Sequence, residues 1–329
     1  MKRTLPACCT GHFLVDFACA FLLFSSLRSQ PDWAALLIAY NFCAFAVQMP
    51  LGLLADQWRR DAWVAAAGAA LVALAYGFAE WPWAAAILAG LGNAAFHVGG
   101  GLETLSVSGE KAGPLGLFVS PGAVGLYLGT VLGKQGGLPL WLPPLLLIPA
   151  ALVLLRSGQP RRSAEPLPSV GPAAVPLLLL LAVVVLRSYV GMSLTLPWKG
   201  IGQWGLVLVL ALAGGKAVGG YLADRFGFIR TAGFSLGLSA VLLLISGIPA
   251  FGTLAILLFN MTMPLTLWAA ARLLPGARGF AFGILTFGLF LGFLPVAFEG
   301  AGLSGMAAAV WALVSLALLL PGLGKAVGK

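Results

Sequence analysis

The chain has 329 residues, of which 60% are apolar and only 9% are charged, and its mean hydropathy is +1.00. An ordinary soluble domain carries about a quarter charged residues, so this composition excludes a soluble surface and indicates an integral membrane protein. The formal net charge of +9 is explained by basic residues that flank apolar segments, and it does not indicate a nucleic-acid partner.

Apolar segments separated by charges and by Gly/Pro clusters predict twelve transmembrane helices. A spanning helix takes about 20 residues, so twelve of them use about 240 and leave only short connections. The predicted helices cover residues 5–25, 33–55, 62–79, 82–104, 113–133, 138–156, 173–195, 201–222, 229–247, 249–271, 279–298 and 303–322. The predicted fold class is therefore all-α and integral to the membrane, with no room in these residues for a soluble domain.

The one long polar stretch divides the chain into two predicted halves. Residues 1–156 form a six-helix bundle, residues 157–172 form a cytoplasmic linker, and residues 173–329 form a second six-helix bundle. With both termini on the cytoplasmic side, only Arg28, Lys134 and Lys199 among the loop cations fall on the opposite side. The Lys/Arg bias of short loops sets orientation, so we expect both termini to be cytoplasmic.

A loop motif occurs once in each half, and its two aspartates are 224 − 56 = 168 residues apart. The first copy contains Gly52, Asp56 and Arg60, and the second contains Gly220, Asp224, Arg225 and Arg230. Glycine permits close helix approach, and the charged groups can bond neighbouring helix ends. We expect these residues to gate a conformational change by forming a network in one closed state.

Other features repeat at nearly the same offset. Asn93 and Asn260 lie in corresponding fourth helices, and Gly125-x-x-x-Gly129 corresponds to Gly288-x-x-x-Gly292 in the fifth helices. Parallel half-repeats of this kind are typical of major facilitator transporters, and the two loop motifs resemble the signature of the major facilitator superfamily. The resemblance implies twelve helices in two six-helix pseudo-repeats, a small-molecule substrate, a coupling ion and a monomer in the bilayer.

Within that superfamily the pattern most resembles the fosmidomycin-resistance type of exporter. The similar features are Gly11-His12-Phe13 with Asp16, Gly90-Leu91-Gly92 leading to Phe96-His97, and Leu273-Leu274-Pro275-Gly276. The resemblance implies a bacterial inner-membrane protein. The first loop motif departs from the superfamily signature in carrying Gln57 where Arg or Lys is usual and Arg59 where Gly is usual. The chain also has Thr130 after Gly129, where drug/proton antiporters carry proline.

Ionisable residues inside apolar helices are functional candidates, because each costs several kcal/mol unless it is paired or hydrated. His12 and Asp16 are four residues apart on one helix face and form the proposed proton-coupling pair. Arg187 lies near the middle of the seventh helix, where it either pairs with Asp16 or binds an anionic group of the substrate. Lys216 is a second substrate ligand or a partner that holds the eighth helix.

His97 lies between Asn93 and a run of three glycines, residues 99–101, that is expected to loosen the fourth helix beside a cavity. The alternative for His97 is a structural hydrogen bond to a neighbouring carbonyl. Asn93 and Asn260 are expected to supply hydrogen bonds to substrate. The spacing of the four cysteines does not predict a metal site, and the sequence has neither a cofactor motif nor a nucleophile–base constellation that would indicate an enzyme.

The sequence therefore predicts a secondary transporter for a small anionic or zwitterionic solute, working by alternating access and coupled to protons, with export slightly favoured. Proton-coupled uptake and a non-transporting sensor or scaffold are the alternatives.

Overall fold

The computed structural model describes residues 3–158, 171–300 and 302–328. Within these ranges, each of the twelve predicted apolar segments forms a helix. The helices are α1 (Thr4–Leu27), α2 (Trp33–Trp58), α3 (Asp61–Phe78), α4 (Pro82–Ser108), α5 (Gly113–Gln135), α6 (Leu142–Ser157), α7 (Gly171–Ser193), α8 (Trp204–Phe226), α9 (Phe228–Leu243), α10 (Pro249–Leu273), α11 (Pro275–Phe298) and α12 (Gly305–Val327).

Ten of these helices in the described part of the chain are long and apolar enough to cross a membrane, and α6 and α9 are shorter. The predicted all-helical membrane fold is thus confirmed, while two of the twelve segments are shorter than a typical span. The predicted linker, apart from its two ends, lies outside the described residues.

The two sets of six helices pack in the same pattern. In the first, α1 packs on α5 and α6, and α3 packs on α4 and α6; in the second, α7 packs on α11 and α12, and α9 packs on α10 and α12. Between the sets, α2 packs on α11 and α5 packs on α8. These contacts are related by the repeat, because each pairs a second helix of one half with a fifth helix of the other.

The repeated glycines lie at equivalent interfaces. Gly125 and Gly129 face the backbone of α1 at Phe13 and Phe17, and Gly292 faces the backbone of α7 at Val185. A Cβ on Gly129 would lie 2.3 Å from the Phe17 carbonyl oxygen, and one on Gly292 would lie 2.3 Å from that of Val185. Small residues are what allow helix backbones to pack this closely in a membrane.

Burial differs between the inner and the outer helices. The apolar windows of α4 and α10 are 72% and 78% buried, whereas those of α2 and α12 are 33% and 39% buried. The outer helices carry large exposed apolar side chains, including Trp63, Ile148, Phe234 and Val310. An apolar outer surface suits lipid, so polar side chains on α1, α4, α7, α8 and α10 are the ones positioned inside the bundle.

The glycine run in α4 does not break that helix. Residues 82–108 form one continuous helix, so the prediction that residues 99–101 loosen it is wrong. The glycines instead make room for neighbours, since a Cβ on Gly99 would lie 2.3 Å from the Ala65 nitrogen. The helix interruptions that matter lie in α5 at Ser120 and in α10 at Met261.

Candidate functional site: a histidine–aspartate triad and two interior cations

Three ionisable side chains from α1 and α4 meet inside the first half. The Nε2 atom of His12 lies 3.2 Å from Oδ2 of Asp16, and Nε2 of His97 lies 3.7 Å from Oδ1 of the same carboxylate. The two Nε2 atoms are 2.9 Å apart. The predicted His12–Asp16 pair is therefore present, and His97 is added to it by the packing of α4 on α1. We call His12, Asp16 and His97 the triad.

The interruption of α5 helps to orient His12. Pro121 has no N–H, so the Leu117 carbonyl four residues earlier lacks its helical donor, and it accepts a bond from Cys9 Sγ at 3.5 Å. The adjacent Phe118 carbonyl accepts a bond from His12 Nδ1 at 2.6 Å. The proline in α5 thus places carbonyl oxygens where α1 can use them.

His97 is oriented by its own helix, because its Nδ1 lies 2.9 Å from the Asn93 carbonyl oxygen. A carbonyl oxygen only accepts, so the Nδ1 atoms of both His12 and His97 carry a hydrogen. In the neutral rings both Nε2 atoms would then present lone pairs to each other at 2.9 Å. That contact is favourable only when a proton or another cation lies between them, with Asp16 balancing the charge.

Asn93 completes the surroundings of Asp16. Its amide nitrogen donates to Asp16 Oδ1 at 3.0 Å and lies 3.7 Å from Cys19 Sγ. Its amide oxygen is buried and has no hydrogen-bond partner among the residues that the structure describes. Asn93 therefore holds the carboxylate in place and keeps an acceptor available beside it.

Gly122 of α5 covers the triad without obstructing it. A Cβ at this position would lie 2.2 Å from His12 Nε2 and 2.4 Å from Asp16 Oδ2. The side chains of Asp16 and His97 are 17% and 16% exposed, although they lie in the interior of the bundle. The triad thus remains accessible to a small ligand, and any side chain larger than hydrogen at residue 122 would block that access.

Arg187 of α7 is the buried cation of the second half. It is 7% exposed, and its guanidinium donates to the hydroxyls of Thr262 and Thr266 at 3.3–3.4 Å. No carboxylate forms an ion pair with it within residues 3–158, 171–300 and 302–328, so it is not paired with Asp16. Charge-assisted bonds are usually 2.7–2.9 Å long, so these hydroxyls solvate the guanidinium only weakly.

Both threonines lie next to the interruption of α10. Pro264 lacks the N–H that would bond the Asn260 carbonyl, and the helix divides at Met261. The hydroxyls of Thr262 and Thr266 also donate to the Phe259 and Met263 carbonyls. Their oxygens are therefore free to accept from Arg187.

Lys216 of α8 is close enough to interact electrostatically with Asp16 and Arg187 and with His97. It has neither an ion pair nor a side-chain hydrogen bond in the described part of the chain. Asn260 is buried, and its amide donates to the Ile256 carbonyl of its own helix at 2.9 Å. Unlike Asn93, it does not reach a charged group.

The two motif aspartates lie at one end of the bundle, which we call the motif end, where α2 ends at Trp58 and α8 ends at Phe226. Asp56 accepts bonds from the backbone nitrogens of Gly279 and Phe280 at 2.9 and 3.0 Å. Asp224 accepts bonds from those of Ala112 and Gly113 at 2.7 and 2.8 Å. Each carboxylate thus caps the N-terminus of a helix in the opposite half, where the helix dipole favours negative charge.

The motif glycines lie in the same contacts between halves. A Cβ on Gly52 would lie 2.1 Å from the Gly279 carbonyl oxygen, and one on Gly220 would lie 2.5 Å from that of Ala112. The predicted motif arginines Arg60, Arg225 and Arg230 are exposed. Within the described ranges, none of the three forms an ion pair with Asp56 or Asp224.

Sequence reasoning missed Thr266, Gly122 and the Phe118 carbonyl. The spacing of Thr262 and Thr266 on one helix face, and the Pro121-Gly122 pair inside an apolar segment, were the signals available. Their roles depend on which helix packs opposite, and the local pattern does not contain that information.

Solved structures share this fold over nearly the whole chain. The E. coli fucose:proton symporter FucP, described as a major facilitator superfamily transporter, has a TM-score of 0.67 at 14% identity and covers 98% of both chains. A bacterial homologue of the iron transporter ferroportin, in an outward-facing state, has a TM-score of 0.67 at 17% identity over 99% of this chain and 100% of its own. The human organic anion transporter MFSD10 has a TM-score of 0.62 at 14% identity over 97% and 99%.

The sequence matches no protein-family model and no curated protein. The fold is thus that of the major facilitator superfamily, as the sequence predicted, and the similarity covers 98% of the chain. The finer resemblance to the fosmidomycin-resistance type stays a prediction.

Proposed function

We propose that this chain is a secondary transporter that moves a small anionic or zwitterionic organic solute across a membrane by alternating access. The observation that carries the proposal is the pair of interior cations, Arg187 and Lys216, which have no carboxylate of their own within ion-pair distance in the described ranges. A charge held in a medium of low dielectric costs several kcal/mol. An anionic solute bound by both side chains would relieve that cost only in the loaded state.

The fold supports transport as the activity. Its structural neighbours are described as a fucose:proton symporter, a homologue of an iron transporter and an organic anion transporter. Their described substrates differ, so the fold leaves the choice of solute to the interior side chains. For this chain those side chains are a planar guanidinium, which suits carboxylate or phosphonate oxygens, and an ammonium group.

The triad is the proposed coupling site, with the proton as its ion. Lys216 lies within electrostatic range of both Asp16 and Arg187, so a proton on the triad, which balances the charge of Asp16, would weaken the attraction of Lys216 to the carboxylate and favour a bound anion. Loading of solute and occupancy of the triad would therefore depend on each other. We propose that the motif end is cytoplasmic and that its two helix caps hold it closed while the opposite end admits solute.

Proteoliposomes that contain a pH-sensitive dye test this function. They are loaded with monocarboxylates, dicarboxylates, phosphonates or neutral sugars as a panel and diluted to create an outward gradient. We expect an anion-dependent change of internal pH, with acidification for proton antiport and alkalinisation for symport. Arg187→Gln and Asp16→Asn should abolish it, whereas the matched changes Arg28→Gln and Glu80→Gln, at exposed positions, should not.

Two results would contradict the proposal. Movement of neutral sugars with no movement of anions would refute the role of the cations. A folded protein that binds an anion but moves neither solute nor protons would instead support the sensor alternative. Direction in the cell is tested separately, because deletion of an exporter sensitises the strain to a toxic substrate and deletion of an importer protects it.

A further inference from the structure

The triad has the composition and size of a transition-metal site. His12, Asp16 and His97 each offer one ligand atom, and these atoms lie within 4.8 Å of one another. The two imidazole nitrogens are 2.9 Å apart, His12 Nε2 lies 3.2 Å from Asp16 Oδ2, and His97 Nε2 lies 3.7 Å from Asp16 Oδ1. Two ligand atoms that each bond one ion at about 2 Å, the length of Zn–N and Zn–O bonds, lie about 3–4 Å apart, so these separations suit a single ion.

The groups around the triad orient its lone pairs in the way that metal sites require. A metal-ligating histidine donates its other ring N–H to a carbonyl or carboxylate, which fixes its tautomer. Here His12 Nδ1 bonds the Phe118 carbonyl at 2.6 Å, and His97 Nδ1 bonds the Asn93 carbonyl at 2.9 Å. The Asn93 amide fixes one oxygen of Asp16 at 3.0 Å. Both free imidazole nitrogens are thereby directed at each other and at the carboxylate.

The site also has an open side. The side chains of Asp16 and His97 are 17% and 16% exposed, and α5 lies against the other side of the site at Gly122, where a Cβ would lie 2.2 Å from His12 Nε2. Three protein ligands leave at least one coordination position for water or solute, as in open rather than structural metal sites. Imidazole with one carboxylate suits Zn²⁺, Co²⁺ and Fe²⁺ better than Ca²⁺ or Mg²⁺, which prefer oxygen ligands alone.

We propose that His12, Asp16 and His97 bind one divalent transition-metal ion through both Nε2 atoms and the Asp16 carboxylate. The ion replaces the hydrogen shared by the two imidazoles, which leaves to solvent as a proton. The proposal uses the side chains of the proposed coupling site, but metal binding can succeed or fail independently of anion transport. A bound cation adds charge near Lys216, so an anion at Lys216 and Arg187 strengthens metal binding.

The test uses the full chain purified in detergent without a polyhistidine tag. The sequence contains only two histidines, and both are in the triad, so every imidazole signal comes from this site. Titration with Co²⁺ at a pH that keeps imidazole neutral should give visible d–d absorption that saturates at one equivalent and is removed by Zn²⁺. Isothermal titration with Zn²⁺ gives the affinity.

Variants separate the triad from other ligands. His97→Gln and Asp16→Asn should each weaken Zn²⁺ binding by at least about 100-fold, because each removes one of three ligands. Glu80→Gln, an exposed carboxylate-to-amide change of the same kind, should leave the affinity unchanged. The chain has free cysteines at positions 8, 9, 19 and 43, and a thiolate ligand would be recognised by its charge-transfer bands with Co²⁺.

X-ray absorption of the Zn²⁺-loaded wild-type protein gives the ligand set even if a variant does not fold. Two imidazole ligands and oxygen support the proposal. Sulfur ligands, or no Zn²⁺ binding above that of Asp16→Asn, overturn it. Anion transport that persists in chelator-treated proteoliposomes would leave the proposed function intact after such a result, whereas metal binding without anion transport would support the site alone.

Discussion

Replacement of Arg187 by glutamine should have opposite effects on stability and on transport. The guanidinium is buried at 7% exposure, and its only bonds in the described ranges are to two threonine hydroxyls at 3.3–3.4 Å. Burying an arginine in the middle of a spanning helix costs about 2.5–3.5 kcal/mol of free energy, and the weak bonds to the hydroxyls offset about 1 kcal/mol of that cost. Arg187→Gln should therefore raise the free energy of unfolding by up to about 1.5–2.5 kcal/mol.

The same change should remove the main binding group for the anion. Two charge-assisted hydrogen bonds contribute about 1.5–3 kcal/mol each, so their loss should weaken anion binding by at least about 100-fold. Arg187→Lys keeps the charge but loses the planar pair of donors, so we expect an intermediate affinity and no gain in stability. Arg28→Gln, at an exposed loop position, is the matched control for both measurements.

Thermal unfolding in detergent and anion uptake by proteoliposomes are measured on the same preparations. A higher melting temperature together with lost transport supports the assignment. If Arg187→Gln is less stable than the wild type, the guanidinium serves the structure of the α7–α10 contact. Transport at the wild-type rate would refute its role in binding.

Three further changes test other parts of the molecule. Gly122→Ala places a Cβ 2.2 Å from His12 Nε2, so it should abolish transport and destabilise the protein by about 1–3 kcal/mol. The control Gly214→Ala, where an added Cβ meets nothing within 4 Å, should do neither. Full activity of Gly122→Ala would show that α5 moves to accommodate the methyl group. Gly220→Ala places a Cβ 2.5 Å from the Ala112 carbonyl oxygen and should open the motif end. The opening is measured as a longer distance between spin labels at Lys111 and Arg225. An unchanged distance would argue against close packing as the gate. Arg59 has a φ of +55°, a conformation that costs a non-glycine residue about 1–2 kcal/mol. Arg59→Gly should therefore raise the melting temperature. A lower melting temperature would mean that the arginine side chain stabilises the loop.

The two halves share a backbone plan and differ in charge. In each half the polar contact joins the first helix to the fourth: Asn93 reaches Asp16 in one, and Arg187 reaches Thr262 and Thr266 in the other. The first contact presents a carboxylate and imidazoles, and the second presents a guanidinium. A repeated scaffold thus places a histidine–aspartate triad and a basic site on helices of the bundle interior.

The motif end shows why a short motif can be recognised in sequence while its partner helix cannot. The sequence predicts that the motif aspartates and arginines bond the next helix and exposed helix ends, and their gating role stays a prediction. The carboxylates bond backbone nitrogens at the start of α11 and α5. Any helix N-terminus offers such nitrogens, so helix packing decides which helix each carboxylate caps. The local sequence does not identify that helix.

The sequence by itself determined the membrane class, the twelve apolar helices, the repeat and the pairing of His12 with Asp16. Composition, helix period and a spacing of four residues are local properties of the chain, so they can be interpreted without knowing which helices are neighbours. Tertiary structure alone decided that His97 joins the pair, that Arg187 rests on threonines, and that the glycine run leaves α4 intact. Those outcomes depend on which helices are neighbours, because a buried polar side chain takes its partner from the helix packed against it.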